Sequence, residues 1–322
     1  MYKKIIWIAF LLTILNSCKQ QQDNYTKILY PIWGSTCEII YENNQSINLL
    51  DGLDSIFNEL TLSFSNYDST SLLAKVNNNQ SKLIDKHLFT LLETSKIMHT
   101  LSQGNFDPSI YPVVKLWGFM NKQGSWIDTS KIPALLQNVG IEKWRWDEDS
   151  IIYKPEKSMI DFNAIAPGYA ADVLAQYLNS LGVKSYYINN GGELVLKGVN
   201  PKNKPWEIGI NAPLNPENGD TIFTISNTAL ATSGNYRNYF KHEGRQYGHT
   251  IAVKDGMPIL TDVLSATIFC KSAAEADAIA TVCMTMSKVQ AVSFLKENKY
   301  KGYLIYAVLN GSEMQPKSIY IP

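Results

Sequence analysis

The sequence predicts an α+β fold of mixed, mainly antiparallel sheets with packed helices. Helical periodicities gather before residue 182 and strand-like runs after residue 184, without the regular alternation of a parallel βαβ array. The 322 residues are 45% hydrophobic and 18% charged, which suffices for a sizeable core and excludes a disordered chain. A mean hydropathy of −0.14 excludes a polytopic membrane protein. Because 29 Lys+Arg balance 29 Asp+Glu, no net field attracts nucleic acid, and an anionic ligand has to be held by local geometry.

The first element is an address. Lys3 and Lys4 precede an apolar run from Ile5 to Leu15, the pattern of an export signal, and that run is too short to cross about 30 Å of hydrocarbon. Leu15, Asn16, Ser17 and Cys18 then place a cysteine as in a bacterial lipobox, although Asn16 is atypical there. We therefore read residues 1–17 as a lipoprotein signal peptide. A lipidated Cys18 anchors the exported chain to the bacterial cell membrane, facing the periplasm. Residues 18–27 are polar and read as a tether, and 28–322 as a single domain. Cys37, Cys270 and Cys283 remain, with no CxxC or Cys/His spacing, and read as small buried residues.

Leu49, Leu50, Leu53, Ile56, Phe57 and Leu60 recur at three- and four-residue steps and predict an amphipathic helix. Leu88, Leu91, Leu92, Ser95, Met98 and His99 predict a second, and Pro167 to Leu181 a third, stopped by Gly182. Strands are predicted at SYYIN (185), ELVLKG (193), WEIGIN (206), TIFTIS (221), HTIAV (249) and VLSATIF (263). Two helical patterns between 272 and 297 precede a last strand near YLIYAVL. There are no internal repeats.

Four segments spend Gly, Asp, Asn, Thr and His beyond the needs of a fold. In GNFDPSIYPVVKLWGF (104–119), Asp107 before Pro108 faces a turn, either a plain cap or part of a site. MIDFNAIAPGYAAD (159–172) reads as strand, tight turn and helix start, which aims N–H groups and loop carbonyls into one space. In the third segment, Gly191 and Gly192 in NNGGELVLKG permit close backbone approach, and Thr232 and Ser233 in ALATSGNYRNYF offer hydroxyls. The fourth, YGHTIAVKDGMP (247–258), offers His249 as a general base; in EADAIATVC (275–283), Asp277 and Thr281 share one helix face. A carboxylate, a hydroxyl and a backbone carbonyl suit Mg²⁺, although Asp-x-x-x-Thr alone also describes a solvated face.

In this order, the segments resemble the ApbE family of flavin transferases, from about Ile32 to about Tyr306. GNFDPSIYPVVKLWGF is similar to that family's G-x-F-D-P-T-V-x-P-L-x-x-L-W-G-F, and MIDFNAIAPGYAAD to its L-D-L-G-G-I-A-K-G-Y-A-x-D. NNGGEL, ATSGNY, GHTI and ADAIAT fall where the family has N-x-G-G-D/E, A-T-S-G-x-Y, H-I-I-D-P and A-D-A-x-x-T. The resemblance implies a T-fold-like α+β architecture and Mg²⁺-dependent transfer of FMN from FAD to a Thr or Ser hydroxyl of an acceptor protein, releasing AMP. It implies FAD contacts from Trp33, Tyr67, Asn105, Phe106, Asp107, Asp161, Pro167 and Thr250. Asp277, Thr281 and the Ala164 carbonyl take the Mg²⁺ positions, and His249 that of the base. The implied acceptor is a flavoprotein subunit of a membrane electron-transfer system.

The chain departs from the pattern at Pro167, where the family has Lys, and at Ala252 and Val253, where it has Asp-Pro. Two other readings stay open: an FAD pyrophosphatase, with water as acceptor, and a lipoprotein that binds FAD without turning it over.

Overall fold

Residues 25–42 form a hairpin in the computed structural model, which describes residues 24–43, 47–118, 127–147, 151–211, 221–235, 239–242, 245–310 and 313–322. Strands β1 (Tyr25–Ile32) and β2 (Ser35–Glu42) pair antiparallel from Tyr25↔Glu42 to Ile32↔Ser35. Trp33 and Gly34 close the turn with φ of +49° and +74°, the hand that matches strand twist. Cys37, Ile39 and Tyr41 alternate along β2 and are buried, so one face of the hairpin belongs to the core. Tyr25, Thr26 and Lys27 are therefore sheet residues and not tether. Residues 1–17, Cys18 and the tether up to residue 23 lie outside the described residues. Among the described residues no helix is long and apolar enough to cross a membrane.

The predicted helices form where their apolar spacing lies. Helix α1 (Leu50–Phe64) buries Leu53, Phe57, Leu60 and Phe64. Ser71 caps α2 (Leu72–Asn77), and Asp85 caps α3 (Lys86–Leu101) by accepting from the N–H groups of His87 and Leu88. A turn at Asp107 leads into α4 (Tyr111–Trp117), which Gly118 ends in the left-handed conformation. Helix α5 (Ile132–Leu136) and two short strands, β3 (Arg145–Trp146) and β4 (Ile152–Tyr153), precede α6 (Ala166–Ser180).

The remaining chain supplies β5 (Tyr186–Asn190), β6 (Glu193–Lys197), β7 (Trp206–Ile210), β8 (Thr221–Ile225), β9 (Thr228–Gly234), β10 (Tyr239–His242), β11 (Arg245–Gly248) and β12 (Val263–Cys270). Helices α7 (Ala273–Met284) and α8 (Lys288–Glu297) follow, then β13 (Lys301–Asn310) and β14 (Glu313–Ile321). One sheet runs β1-β2-β5-β6-β9-β12-β13-β14, every neighbour antiparallel. The main core joins this sheet to α1, α3, α6 and α7. A second cluster seats the β7–β8 hairpin through Trp206, Ile208 and Ile210 against Leu194, Leu230 and Tyr303. A third, smaller cluster joins α4 and α5 to Ile251.

The run HTIAV is not a strand. Strand β11 ends at Gly248, and Ile251 makes only an isolated bridge to Pro258. Gly256 at φ +70° folds the loop back on itself, and Pro258 has no N–H to extend a ladder. Cys37 and Cys283 are buried and Cys270 half-buried, all as free thiols.

Candidate active site

A cleft of about 1130 Å³ opens around the β5–β6 turn and gathers most of the residues singled out in the sequence. Tyr67, Asn105, Phe106, Asp107, Asp161, Ala164, His249, Thr250, Asp277 and Thr281 all line it. Five acidic residues line this space, Asp107, Asp161, Glu193, Glu207 and Asp277. Among the described lining residues there is no lysine or arginine.

One wall is the Asp107 turn. The Asp107 carboxylate accepts from Ser109 N–H at 2.9 Å, Ser109 Oγ at 2.6 Å and Ile141 N–H at 3.1 Å, and pairs with His99 Nδ1 at 3.3 Å. Burial opposes its ionisation, but the bonds from His99, Ser109 and Ile141 outweigh burial and hold the carboxyl below its ordinary value. The same pair raises the His99 imidazole above its ordinary value. Asp107 thus shapes the wall, because its oxygens are committed to this turn. Glu142 adds a third group to the cluster, with His99 Nε2 at 3.7 Å from its carboxylate.

Beside it lies the segment 161–168, where Asp161 N–H donates to the Pro108 carbonyl at 3.0 Å. Asp161 accepts from the N–H and Nδ2 of Asn163 at 2.9 and 3.0 Å, yet its low-dielectric surroundings lift its carboxyl to about 6. The chain then enters α6, which packs so closely on α7 that a Cβ at Gly168 would stand 2.3 Å from the Ala273 carbonyl oxygen. Asp172 locks this contact. It accepts from Ser272 Oγ at 2.7 Å and from the N–H groups of Ala273 and Ala274 at 2.8 and 3.0 Å.

Helix α7 presents Asp277 and Thr281 to the cleft. Asp277 is buried rather than on a solvated face, because alanines at 273, 274, 276, 278 and 280 let the helix sink into the core. Gly168 N–H points at Asp277 Oδ2 at 3.4 Å, and Thr281 Oγ1 lies 3.3 Å from Ser233 Oγ. Glu193 enters the same corner from the start of β6, behind Gly191 and Gly192 at φ of +79° and +128°. Burial, then mutual repulsion, lifts Asp277 well above the usual carboxylate range, and burial lifts Glu193 to about 7. Two facing carboxylates, a hydroxyl and the nearby Ala164 are a hard-oxygen set that fits a divalent cation. Their raised protonation shows how poorly the protein alone compensates them.

His249 stands exposed at the cleft edge, between Gly248, packed against Asn235, and Thr250, whose Oγ1 donates to Asn235 Oδ1 at 3.2 Å. Trp33 and Pro167 are not among the lining residues. Trp33, in the β1–β2 turn, is directed onto α1, where its indole N–H donates to Thr61 Oγ1 at 2.9 Å and its ring meets Phe57 and Phe64 edge-on. Pro167 occupies the first turn of α6 behind the wall, its carbonyl accepting from Asn190 Nδ2 at 2.9 Å. The sequence reading missed Glu193 as a site carboxylate, although the paired glycines before it mark a backbone bent for that purpose. It also missed Asp172, whose role depends on a helix 100 residues later.

Comparison with known proteins gives a family and related folds. The model of the ApbE family matches residues 33–304. A protein named FAD:protein FMN transferase from Vibrio cholerae is 28% identical over 98% of both chains, and one from Haemophilus influenzae 27% identical over 95% of this chain and 93% of its own. The solved flavin transferase ApbE from Vibrio cholerae superposes with a TM-score of 0.83 at 27% identity, covering 92% of this chain and 96% of that one. An ApbE protein from Thermotoga maritima gives 0.79 at 25% identity over 90% and 96%.

Proposed function

The chain belongs to the ApbE family, and from that premise we propose that it transfers FMN from FAD to a Thr or Ser hydroxyl of an acceptor protein, with Mg²⁺, releasing AMP. The relatives named FAD:protein FMN transferase support the reaction class. The carrying observation for the cation is the cleft's lining: a pyrophosphate brought among acidic residues, with no lysine or arginine on the described walls, needs a divalent ion. Asp277, Glu193, Thr281 and the Ala164 carbonyl would hold it. Bound there, it would supply charge neutralisation to the pyrophosphate.

His249 takes the acceptor hydroxyl's proton as that oxygen bonds to the FMN phosphorus, and the bridging P–O bond to AMP breaks. General-base help of this kind contributes about 10² to 10⁴-fold. Tyr67 and Phe106 offer aromatic surface to flavin or adenine rings. The acceptor is a flavoprotein, read as a subunit of a membrane electron-transfer system. Lipid at Cys18 would hold the domain near the membrane, since the seven residues to the start of β1 reach at most about 25 Å.

Incubating the protein with FAD and Mg²⁺, with and without a Thr-bearing acceptor domain, separates the readings. Flavin fluorescence on the acceptor after denaturing electrophoresis supports transfer. AMP and free FMN without acceptor support a pyrophosphatase, and unchanged FAD a binding protein.

A further inference from the structure

The Leu-Trp-Gly end of the first motif has no part in the reading above, and the loop that follows His249 contains no strand. We propose that Trp117 is a positioning residue for His249, acting through Gly256. This rests on the reading of His249 as the proton acceptor.

The chain after His249 forms a closed loop. Ile259 N–H donates to the Thr250 carbonyl at 2.9 Å, Ala252 N–H to that of Met257 at 2.8 Å, and Gly256 N–H to that of Ala252 at 2.8 Å. Three internal bonds make the loop move as one piece, so fixing its tip fixes its root. The tip is fixed by Trp117, whose buried indole N–H donates to the Gly256 carbonyl at 2.8 Å. Contacts on the other side are equally close: a Cβ at Gly256 would stand 2.5 Å from Ile132 Cγ2 and 3.1 Å from Val113 Cγ1. Ile251 completes the attachment, buried in the same cluster.

This cluster is separate from the main core, and α4, which carries Trp117, begins at the Asp107 turn. Helix α4 therefore links the Asp107 turn of the cleft wall to the loop that follows His249. An exposed imidazole needs such a support, because a displacement of about 1 Å can cost about 10²-fold in rate. Trp117 also reaches the cleft wall, but its one polar atom is spent on Gly256.

Trp117→Phe removes the donor and keeps an aromatic ring, whereas Gly256→Ala drives a Cβ into Ile132. For each variant, AMP release from saturating FAD with Mg²⁺ and a Thr-bearing acceptor domain is measured beside FAD affinity by flavin fluorescence quenching. The imidazole C–H resonance of His249, assigned with His249→Asn, is followed by NMR against that of His87 in the main core. The expected result is turnover about tenfold lower, FAD affinity within about twofold of wild type, and a displaced His249 resonance with His87 unmoved. An unmoved His249 resonance, or FAD affinity falling as far as turnover, overturns the proposal. If Gly256→Ala does not fold, Trp117→Phe decides alone. Wild-type protein that releases no AMP defeats the transferase reading instead, and the resonance still decides the positioning.

Discussion

The carboxylate of Asp172 on α6 receives the backbone N–H of Ala273, the first residue of α7, at 2.8 Å. With the bonds from Ala274 N–H and Ser272 Oγ, it sets where α7 starts and hence where Asp277, one turn on, meets the cleft. Asp172→Asn puts an amide where N–H donors point and costs about 1–2 kcal/mol, read from urea unfolding. The variant also shows weaker stabilisation by Mg²⁺ than wild type, because its α7 is less well fixed.

When both are charged, Glu193 and Asp277 repel each other, and the proposed cation would relieve that repulsion. Glu193→Gln therefore raises the melting temperature in EDTA and lowers Mg²⁺ affinity by about tenfold or more, because a charged hard-oxygen ligand is lost. Calorimetric scans with and without Mg²⁺ check both signs. A variant that melts lower than wild type in EDTA contradicts the repulsion.

The His99–Asp107 pair gives stability a defined pH window. Asp107 lies below its ordinary 3.8, so its contribution is present above that value and is lost as pH falls through the lowered one. His99 lies above its ordinary 6.5, so its contribution is full below 6.5 and fades as pH rises through the raised value. The difference in melting temperature between wild type and His99→Gln is accordingly largest between about pH 4 and 6.5 and shrinks on the alkaline side.

Trp33 and Tyr67 differ in their relation to the cleft. Trp33 is tied to Thr61, packed on α1 and not among the lining residues, whereas Tyr67 lies exposed on the cleft lining. Trp33→Ala lowers the melting temperature and leaves FAD affinity within about twofold. Tyr67→Ala weakens FAD by about three- to tenfold, measured by fluorescence quenching.

These contrasts show what the sequence could and could not reveal. Apolar spacing places α1, α3 and α6, because one buried stripe is enough to define a helix, and the strands β5 to β8 and β12 lie in runs of apolar and β-branched residues. Strand β14 escaped notice because Pro316 sits within it, which an edge strand tolerates and a central one does not. HTIAV misled in the opposite sense: its residues suit a strand, but Gly256 and Pro258 turn the chain into a loop. Motif order singled out most of the acidic and polar residues that line the cleft. A motif position says nothing about the face toward which a hairpin turn points, and Trp33 packs on α1. The Glu193–Asp277 corner and the Asp172 cap are contacts between distant segments, so only the folded chain brings them into view.

The proposal stands on Asp277 holding the divalent cation required by a cleft with no lysine or arginine among its described lining residues. AMP release from FAD, titrated with Mg²⁺ in wild type and in Asp277→Ala of matched secondary structure by circular dichroism, tests it most directly. The account predicts Mg²⁺-dependent release by wild type and none by the variant at any Mg²⁺ concentration. Release by Asp277→Ala at the wild-type rate and with the wild-type Mg²⁺ dependence would contradict it.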